Sequence, residues 1–496
     1  MTEKLQKFRC IVCGYVHIAA EAPKTCPVCG SSKSDFELYA EKKQESAPAK
    51  ITKWRCINCS YVHNGDNPPD ICPVCAAEKD KFEAFTETNQ ASGVKSAKVV
   101  IVGGGIAGVT AAETMRKFSP DSIITLITME CDAPYYRLNL TRFLGGDINR
   151  EDLIVHPLSW YQENNIELVN NAIVYTIDKE KKVIALVDGR EFVYDKLILA
   201  TGSHPFIPQY KGTELEGVYS LRTVSDADEI LAKAVKGARC VCIGGGILGI
   251  ETAGSLAKRA VNVTMLESHG WLMPRQLNLK AAAILEKHLL SLDIKTLKET
   301  KVQEISGDKK VSGVLLQNGT LLEADIVILA TGVRANTVLA RKAGLEFNNG
   351  IIVNNHLMTS SPDIFAAGDA TEHNGQLYGT WAPAQYQGSI AALNALGIPT
   401  VFGGIPRSNT VKALGLDITS IGQFMPEDGS YTVIEKEDEK SYIEFVFHDS
   451  KMVGTILIGH AKLATAAKKA IDSNTDFSEL LITPKCDEII SKFHHF

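Results

Sequence analysis

No stretch of the 496 residues approaches the roughly 20 apolar residues that a membrane-spanning helix requires. The amino-terminal MTEKLQKFRC is charged where a signal peptide carries its apolar segment, so a cytoplasmic protein without membrane contact is expected. A basic surplus is missing too. The 52 Lys and Arg stand against 58 Asp and Glu, a net charge of -6, which provides no broad field for binding nucleic acid. Compositional bias is also lacking, at 45% hydrophobic and 22% charged, so the chain reads as globular, and its length demands several domains.

What the chain does hold is cysteine, 12 in all. In a small secreted domain that would mean disulfides, whereas paired CxxC spacing in a chain of this kind means metal or redox chemistry. Advancing by 46 positions carries Cys10, Cys13, Cys26 and Cys29 onto Cys56, Cys59, Cys72 and Cys75. The same step carries Tyr15, Val16 and His17 onto Tyr61, Val62 and His63, Pro23 onto Pro69, Phe36 onto Phe82, and aromatic Phe8 onto Trp54. This is a duplicated module, at residues 5–40 and 52–86, with polar linkers at 41–51 and 87–97. In each copy the two CxxC pairs lie twelve residues apart, so two knuckles can close around one ion. A segment of about 40 residues buries too little apolar surface to fold without it. Four thiolates suit either zinc or iron, and they close each shell without His17 or His63.

From residue 98 the texture changes to short apolar runs alternating with helical patterns, the signature of α/β units on parallel sheets. The run Val99–Val102 enters Gly103, Gly104, Gly105, Ile106, Ala107 and Gly108, a GxGxxG turn between strand and helix. An acid, Glu130, follows 22 residues after Gly108, where dinucleotide ribose hydroxyls would lie. A second copy runs from Cys240–Ile243 into Gly244, Gly246, Ile247, Leu248 and Gly249, with Glu267 following 18 residues later. Two dinucleotides are therefore expected. Glu267 favours a free 2′-hydroxyl, and Ser268, His269 and Gly270 supply no arginine for a 2′-phosphate, so NADH is expected over NADPH.

The cysteine modules resemble the rubredoxin modules of rubrerythrins, on CxxCGY at Cys10–Tyr15 and CPVCG at Cys26–Gly30. The resemblance implies iron in each, with structural zinc as the alternative. The second copy departs at Ser60 and Ala76, where glycine would let amides approach the sulfurs, so the two sites are expected to differ. From residue 98 onward the chain resembles the FAD-dependent pyridine nucleotide oxidoreductases, on Ala200-Thr201-Gly202, Ala330-Thr331-Gly332 and IFAAGD at Ile364–Asp369. That resemblance implies FAD in the first motif, with Arg137, Val174, Gly368 and Asp369 among its contacts and Asp369 on the ribityl chain. It implies NADH in the second, with Gly332 among the cofactor contacts and Glu251 orienting the nicotinamide. The domains expected are an FAD domain at 98–215 and 338–404, a nested NAD domain at 216–337, and a small α+β domain at 405–496. In the last, strands Tyr442–Phe447 and Met452–Ile458 flank a turn at His448–Lys451, before a helix at Ala461–Asp472. The segment Pro134–Leu140, reading PYYRLNL, is similar to NADH:rubredoxin reductases and the flavin portions of nitrite reductases. Leu138 replaces their usual proline, and Arg142 stands where several relatives place a lysine.

Disulfide reductases of that superfamily keep a cysteine pair after the first motif, and here the pair is absent. Cys131 is the only cysteine between Gly108 and Gly146. The expected route is therefore NADH to FAD to the rubredoxin-like irons. From there it leads to a separate rubredoxin-like, diiron or flavodiiron protein that reduces oxygen, peroxide, superoxide or nitric oxide. An NADH oxidase with zinc ribbons and a redox sensor signalling through its N-terminal arms are the alternatives. The resemblance also implies a C-terminal domain that can form homodimer contacts.

Overall fold

The computed structural model describes residues 6–10, 16–25, 32–38, 53–56, 62–64, 67–69, 79, 82–84, 96–404 and 408–493. Near the amino terminus the sequence repeat becomes a repeat of strand register. Gln6–Cys10 lies between Val16–Ala19 and Phe36–Leu38, just as Lys53–Cys56 lies between Val62–Asn64 and Phe82–Ala84, all antiparallel. In register Phe8 pairs with His17 and Trp54 with His63, while Cys10 pairs with Phe36 and Cys56 with Phe82. Each first cysteine therefore ends a central strand. Cys13, Cys26, Cys29, Cys59, Cys72 and Cys75, with Ser60 and Ala76, lie outside the described residues.

Two parallel five-stranded sheets follow. The first has the order Ile364–Ala366, Lys196–Leu199, Lys98–Val102, Ile123–Ile127, Ile166–Val169. The second has the order Val218–Tyr219, Ile326–Leu329, Arg239–Ile243, Asn262–Leu266, Lys295–Leu297. Parallel strands covered on both faces read as unbroken apolar runs, and Val99 to Val102 and Ile326 to Leu329 are all buried. Helices Ile106–Phe118 and Trp381–Ala395 cross closely on the first sheet, where a Cβ on Gly388 would lie 2.2 Å from the Ala107 carbonyl oxygen. Each half adds a three-stranded antiparallel sheet, Val174–Val193 in one and Val302–Glu323 in the other. The second sheet is nested within the chain of the first, and a two-stranded ribbon, Ser203–Pro205 against Val333–Ala335, marks the crossing points.

The final unit is a five-stranded antiparallel sheet, ordered Ser408–Ala413, Leu416–Gly422, Lys451–Ile458, Tyr442–His448, Thr432–Glu437. Phe445 and Phe447 pack against Phe493 and Phe477 beneath helices Ala464–Asp472 and Cys486–Phe493. The expected hairpin turn holds Asp449 and Ser450 at φ +46° and +62°, the left-handed pair a tight two-residue turn requires. Among the described residues no helix is long and apolar enough to cross a membrane.

Candidate functional site

The two glycine loops share one geometry. Gly103 sits at φ +121°, and a Cβ there would lie 2.0 Å from the Ala200 carbonyl oxygen; Gly244 sits at φ +117°, with its Cβ position 2.4 Å from that of Ala330. Only glycine fits either place. The third glycines lock the turns, since a Cβ on Gly108 would lie 2.0 Å from the Gly103 oxygen and one on Gly249 would lie 2.1 Å from that of Gly244. The recurring Ala-Thr-Gly motifs thus have a structural cause: each ends a strand beside its loop and presents the alanine carbonyl to it. The middle glycines differ in kind. A Cβ on Gly105 or Gly246 would meet nothing within 4 Å, and both cap helices, Ile106–Phe118 and Ile247–Lys258, that have no side-chain cap. Each loop therefore offers open space before helix N–H groups, the arrangement that receives a pyrophosphate. Ile106, Ala107, Ile247 and Leu248 are the first helical residues behind those openings, and Ala107 also packs against Gly368.

The acids diverge. Glu130 pairs with Arg137 at 2.5 Å and accepts the hydroxyl of Tyr135, which also accepts from Arg137 at 2.9 Å and from the Val224 N–H at 3.2 Å. Glu267 is 7% exposed, and its oxygens accept the N–H of Gly245 and of His269, each at 2.9 Å, and His269 Nδ1 at 3.0 Å. Burial alone would raise its pKa, but those donors outweigh it and hold the carboxyl below its ordinary value. Glu267 therefore stays ionised behind the second loop.

Asp369 follows Gly368, whose N–H donates to Gln387 Oε1 at 2.8 Å and whose φ is +82°. The Asp369 carboxylate accepts from Ser203 Oγ at 2.9 Å and Arg222 Nη2 at 3.1 Å. Thr201 and Asn336 exchange hydrogen bonds at 2.9 and 2.7 Å across the crossing points. Glu251 is reached by Thr141 Oγ1 of the helix Leu140–Gly145 at 3.3 Å, and burial pushes its carboxyl above the ordinary range. An open cleft of about 590 Å³, lined by Thr141, Arg142, Glu251, Gly254, Lys258 and Leu414, brings together the first half, the second half and the C-terminal unit. Leu414, at φ +51°, occupies the place where a Cβ on Gly254 would fall, 2.0 Å from its Cδ2.

Buried polar atoms lack a protein partner on the helix that follows the first loop, Thr110 Oγ1, on the residue that accepts the Gly368 N–H, Gln387 Nε2, and just before the helix Leu140–Gly145, Asn139 Oδ1. A polar, dinucleotide-sized cofactor fits such a cradle better than an apolar one. Val174 is a buried strand residue opposite Leu186. Leu138 is half exposed, and Arg142 stands in the cleft with Glu251. Tyr135 belongs to the Pro134–Leu140 segment, whereas Thr141, Ser203, Arg222 and Gln387 carry no motif of their own. The only local sign of Arg222 is the capping box that Thr223 and Asp226 form immediately after it.

Residues 97–388 match the family Pyridine nucleotide-disulphide oxidoreductase, residues 8–37 and 54–83 the Rubrerythrin, rubredoxin-like domain, and residues 408–475 the Rubredoxin NAD+ reductase C-terminal domain. The chain is 34% identical over 385 residues to the nitrite reductase [NAD(P)H] of Bacillus subtilis, covering 77% of this chain and 48% of that protein. It thus spans about half the length of that relative. It is 30% identical over 387 residues to the NADH-rubredoxin oxidoreductase of Clostridium acetobutylicum, covering 78% of this chain and 97% of the relative. The crystal structure of NADH:rubredoxin oxidoreductase from Clostridium acetobutylicum superposes with a TM-score of 0.69 at 30% identity, over 80% of this chain and 100% of that one. The chain belongs to the pyridine nucleotide-disulphide oxidoreductase family, with two rubredoxin-like domains before the flavoprotein core and a rubredoxin NAD+ reductase C-terminal domain after it.

Proposed function

We propose that the chain is an NADH-dependent flavin oxidoreductase of the rubredoxin reductase type whose own rubredoxin-like domains are its first electron acceptors. The observation that carries this reading is the state of the cysteines in a family named for a disulphide. Among the described residues Cys131 is exposed, Cys240 and Cys242 are buried on a strand and Cys486 is buried in the C-terminal unit, and burial pushes the Cys242 and Cys486 thiols up to about 12 and about 11. Burial holds the three buried thiols protonated, so none of those three is poised as a thiolate acceptor, and Cys131 stands without a second cysteine beside it among the described residues. The eight cysteines of the two modules are the electron outlet that remains.

The first loop would hold FAD through Gly103, Gly105 and Gly108, with Glu130, Arg137 and Asp369 at its polar groups, and Val174 and Ala200 to Gly202 beside it. The second would hold NADH through Gly244, Gly246 and Gly249, with Gly332 beside it. When bound, FAD accepts a hydride and releases single electrons, and a four-thiolate iron carries one electron at a time. Around them the chain supplies geometry. Glu267 keeps a negative charge behind the second loop and disfavours a 2′-phosphate, while Thr141 holds the Glu251 carboxyl that is expected to orient the nicotinamide. Tethering by the 87–97 linker raises the local concentration of the modules to about the millimolar range. A separate rubredoxin-like, diiron or flavodiiron protein is the downstream partner in this proposal.

Metal analysis with the visible spectrum, before and after anaerobic NADH, tests it. About two iron ions and about one FAD per chain, both bleached by NADH, are expected. Zinc with no colour beyond the flavin would defeat the outlet and favour direct transfer from flavin to a small acceptor.

A further inference from the structure

Two residues break local rules, and they do so against each other. Gly254 lies in the interior of the helix Ile247–Lys258, where glycine weakens a helix, and Leu414 lies in the left-handed region, which leucine disfavours. Leu414 and Gly415, at φ +51° and +91°, form the two-residue turn between the paired strands Ser408–Ala413 and Leu416–Gly422, a turn that ordinarily takes Asn-Gly. The tip of this hairpin enters the second half at Gly254. A Cβ on Gly254 would lie 2.0, 2.6 and 2.8 Å from Leu414 Cδ2, Cδ1 and Cγ. The Leu414 carbonyl accepts from His288 Nε2 at 3.1 Å, so the tip is held through its backbone as well as its side chain. The notch lies on the helix face that carries Glu251, because Glu251, Gly254, Ser255 and Lys258 recur at helical spacing along one stripe. On that stripe Glu251 accepts from Thr141 Oγ1 at 3.3 Å, Ser255 Oγ donates to the Thr141 carbonyl at 2.7 Å, and Lys258 pairs with Asp147 at 2.7 Å. Leu414 therefore presses on the helix one turn from the Glu251 carboxyl and lines the same cleft. Alanine at 254 and asparagine at 414 would suit helix and turn better, so fold stability by itself does not account for the pair.

We propose that Leu414 is a positioning residue for NADH, supplied by the C-terminal unit: seated in the Gly254 notch, it sets the helix Ile247–Lys258 so that the Glu251 carboxyl is held at Thr141, where the nicotinamide is received. This role deepens the reading of the second loop as the NADH site and rests on it. The C-terminal unit then has a part in the reaction with NADH, because a displaced hairpin tip would release the helix that carries Glu251.

Anaerobic stopped-flow reduction of the flavin over a range of NADH concentrations tests this in the full-length chain, with flavin content and thermal unfolding by circular dichroism measured on each variant. L414A should keep its flavin and lower the ratio of limiting rate to half-saturating NADH by about 10- to 100-fold, the scale of a misplaced contact group. L414M, which nearly conserves volume, should recover most of that loss. G254A should impair reduction too, since its methyl displaces Leu414, and G254A/L414A should be less impaired than the product of the single effects. In an E251Q background L414A should cost less than about twofold, because Leu414 acts through Glu251. Folded L414A and G254A chains whose flavin is reduced as in wild type would overturn the proposal even if their unfolding temperatures fell, as would effects of L414A and E251Q that multiply. If L414A does not fold, G254A decides, and a loss smaller than about twofold overturns it. A wild-type flavin that NADH does not reduce would sink the reading of the NADH site itself, and the role of Leu414 with it.

Discussion

The two glycine loops can be laid on one another residue for residue, and the acids that follow them cannot. Gly103, Gly105 and Gly108 repeat the backbone and clearances of Gly244, Gly246 and Gly249. Yet Glu130 is held by the side chains of Arg137 and Tyr135, while Glu267 is held by backbone N–H groups and His269. The first and third glycines answer to the chain's own geometry, which is common to both halves. The acids answer to their neighbours, which are not.

The largest expected effect breaks the symmetry at the third glycine. A Cβ forced into 2.0 or 2.1 Å of a carbonyl oxygen requires backbone movement costing about 3 kcal/mol or more. G108A should therefore purify without flavin. G249A should stay yellow and raise the Michaelis constant for NADH on the order of 100-fold, as read by absorbance and steady-state kinetics. Flavin loss from G249A alone would mean that the loops have been assigned the wrong way round.

A smaller effect separates the acids. E267Q removes an acceptor from buried N–H groups, so it should lower stability by about 1 to 2 kcal/mol by chemical denaturation and reduce the preference for NADH over NADPH by about tenfold. E130Q should leave that preference untouched and weaken FAD binding several-fold. If E267Q changed neither stability nor preference, the burial of Glu267 would have no bearing on nucleotide choice.

How much of this could be read from the sequence depends on whether a residue's partner is local. The glycine loops were legible because strand, turn and helix are contiguous, and the duplicated modules because the strand register repeats with the cysteines. The position of Glu267 was legible, but its inward orientation was not, since that follows from where Gly245 and His269 bring their N–H groups. Arg222 was hidden because its partner Asp369 is 147 positions away. The place of Gly254 within its helix is set from a distance in the same way, by Leu414 of the C-terminal unit, which occupies the space a Cβ would take. In that unit, alternation revealed the hairpin from Tyr442 to Ile458, while the strands Ser408–Ala413, Leu416–Gly422 and Thr432–Glu437 carried too little pattern to be named.

The smallest effect concerns the polar contact between the second half and the C-terminal sheet. Asn278, which caps the helix Leu279–Ser291, donates to Tyr442 at 2.8 Å and to the buried Glu444 at 2.6 Å of the C-terminal sheet. Burial pushes the Glu444 carboxyl up to about 7, from an ordinary 4.5. Below pH 4.5 it is protonated folded or unfolded, so it imposes no penalty. Between 4.5 and about 7 the unfolded chain ionises first, so stability falls as pH rises and then levels off. E444Q should flatten that slope and gain about 1 kcal/mol at pH 8, measured by denaturation at pH 5 and pH 8. An unchanged slope would show that Glu444 ionises as readily in the folded chain as in water.

The most direct test of the account is anaerobic stopped-flow mixing of the full chain with excess NADH, followed at flavin and ferric-thiolate wavelengths. Flavin bleaching should come first, with iron bleaching following in the same chain and at a rate independent of protein concentration. Ferric iron that persists while the flavin is fully reduced would contradict it.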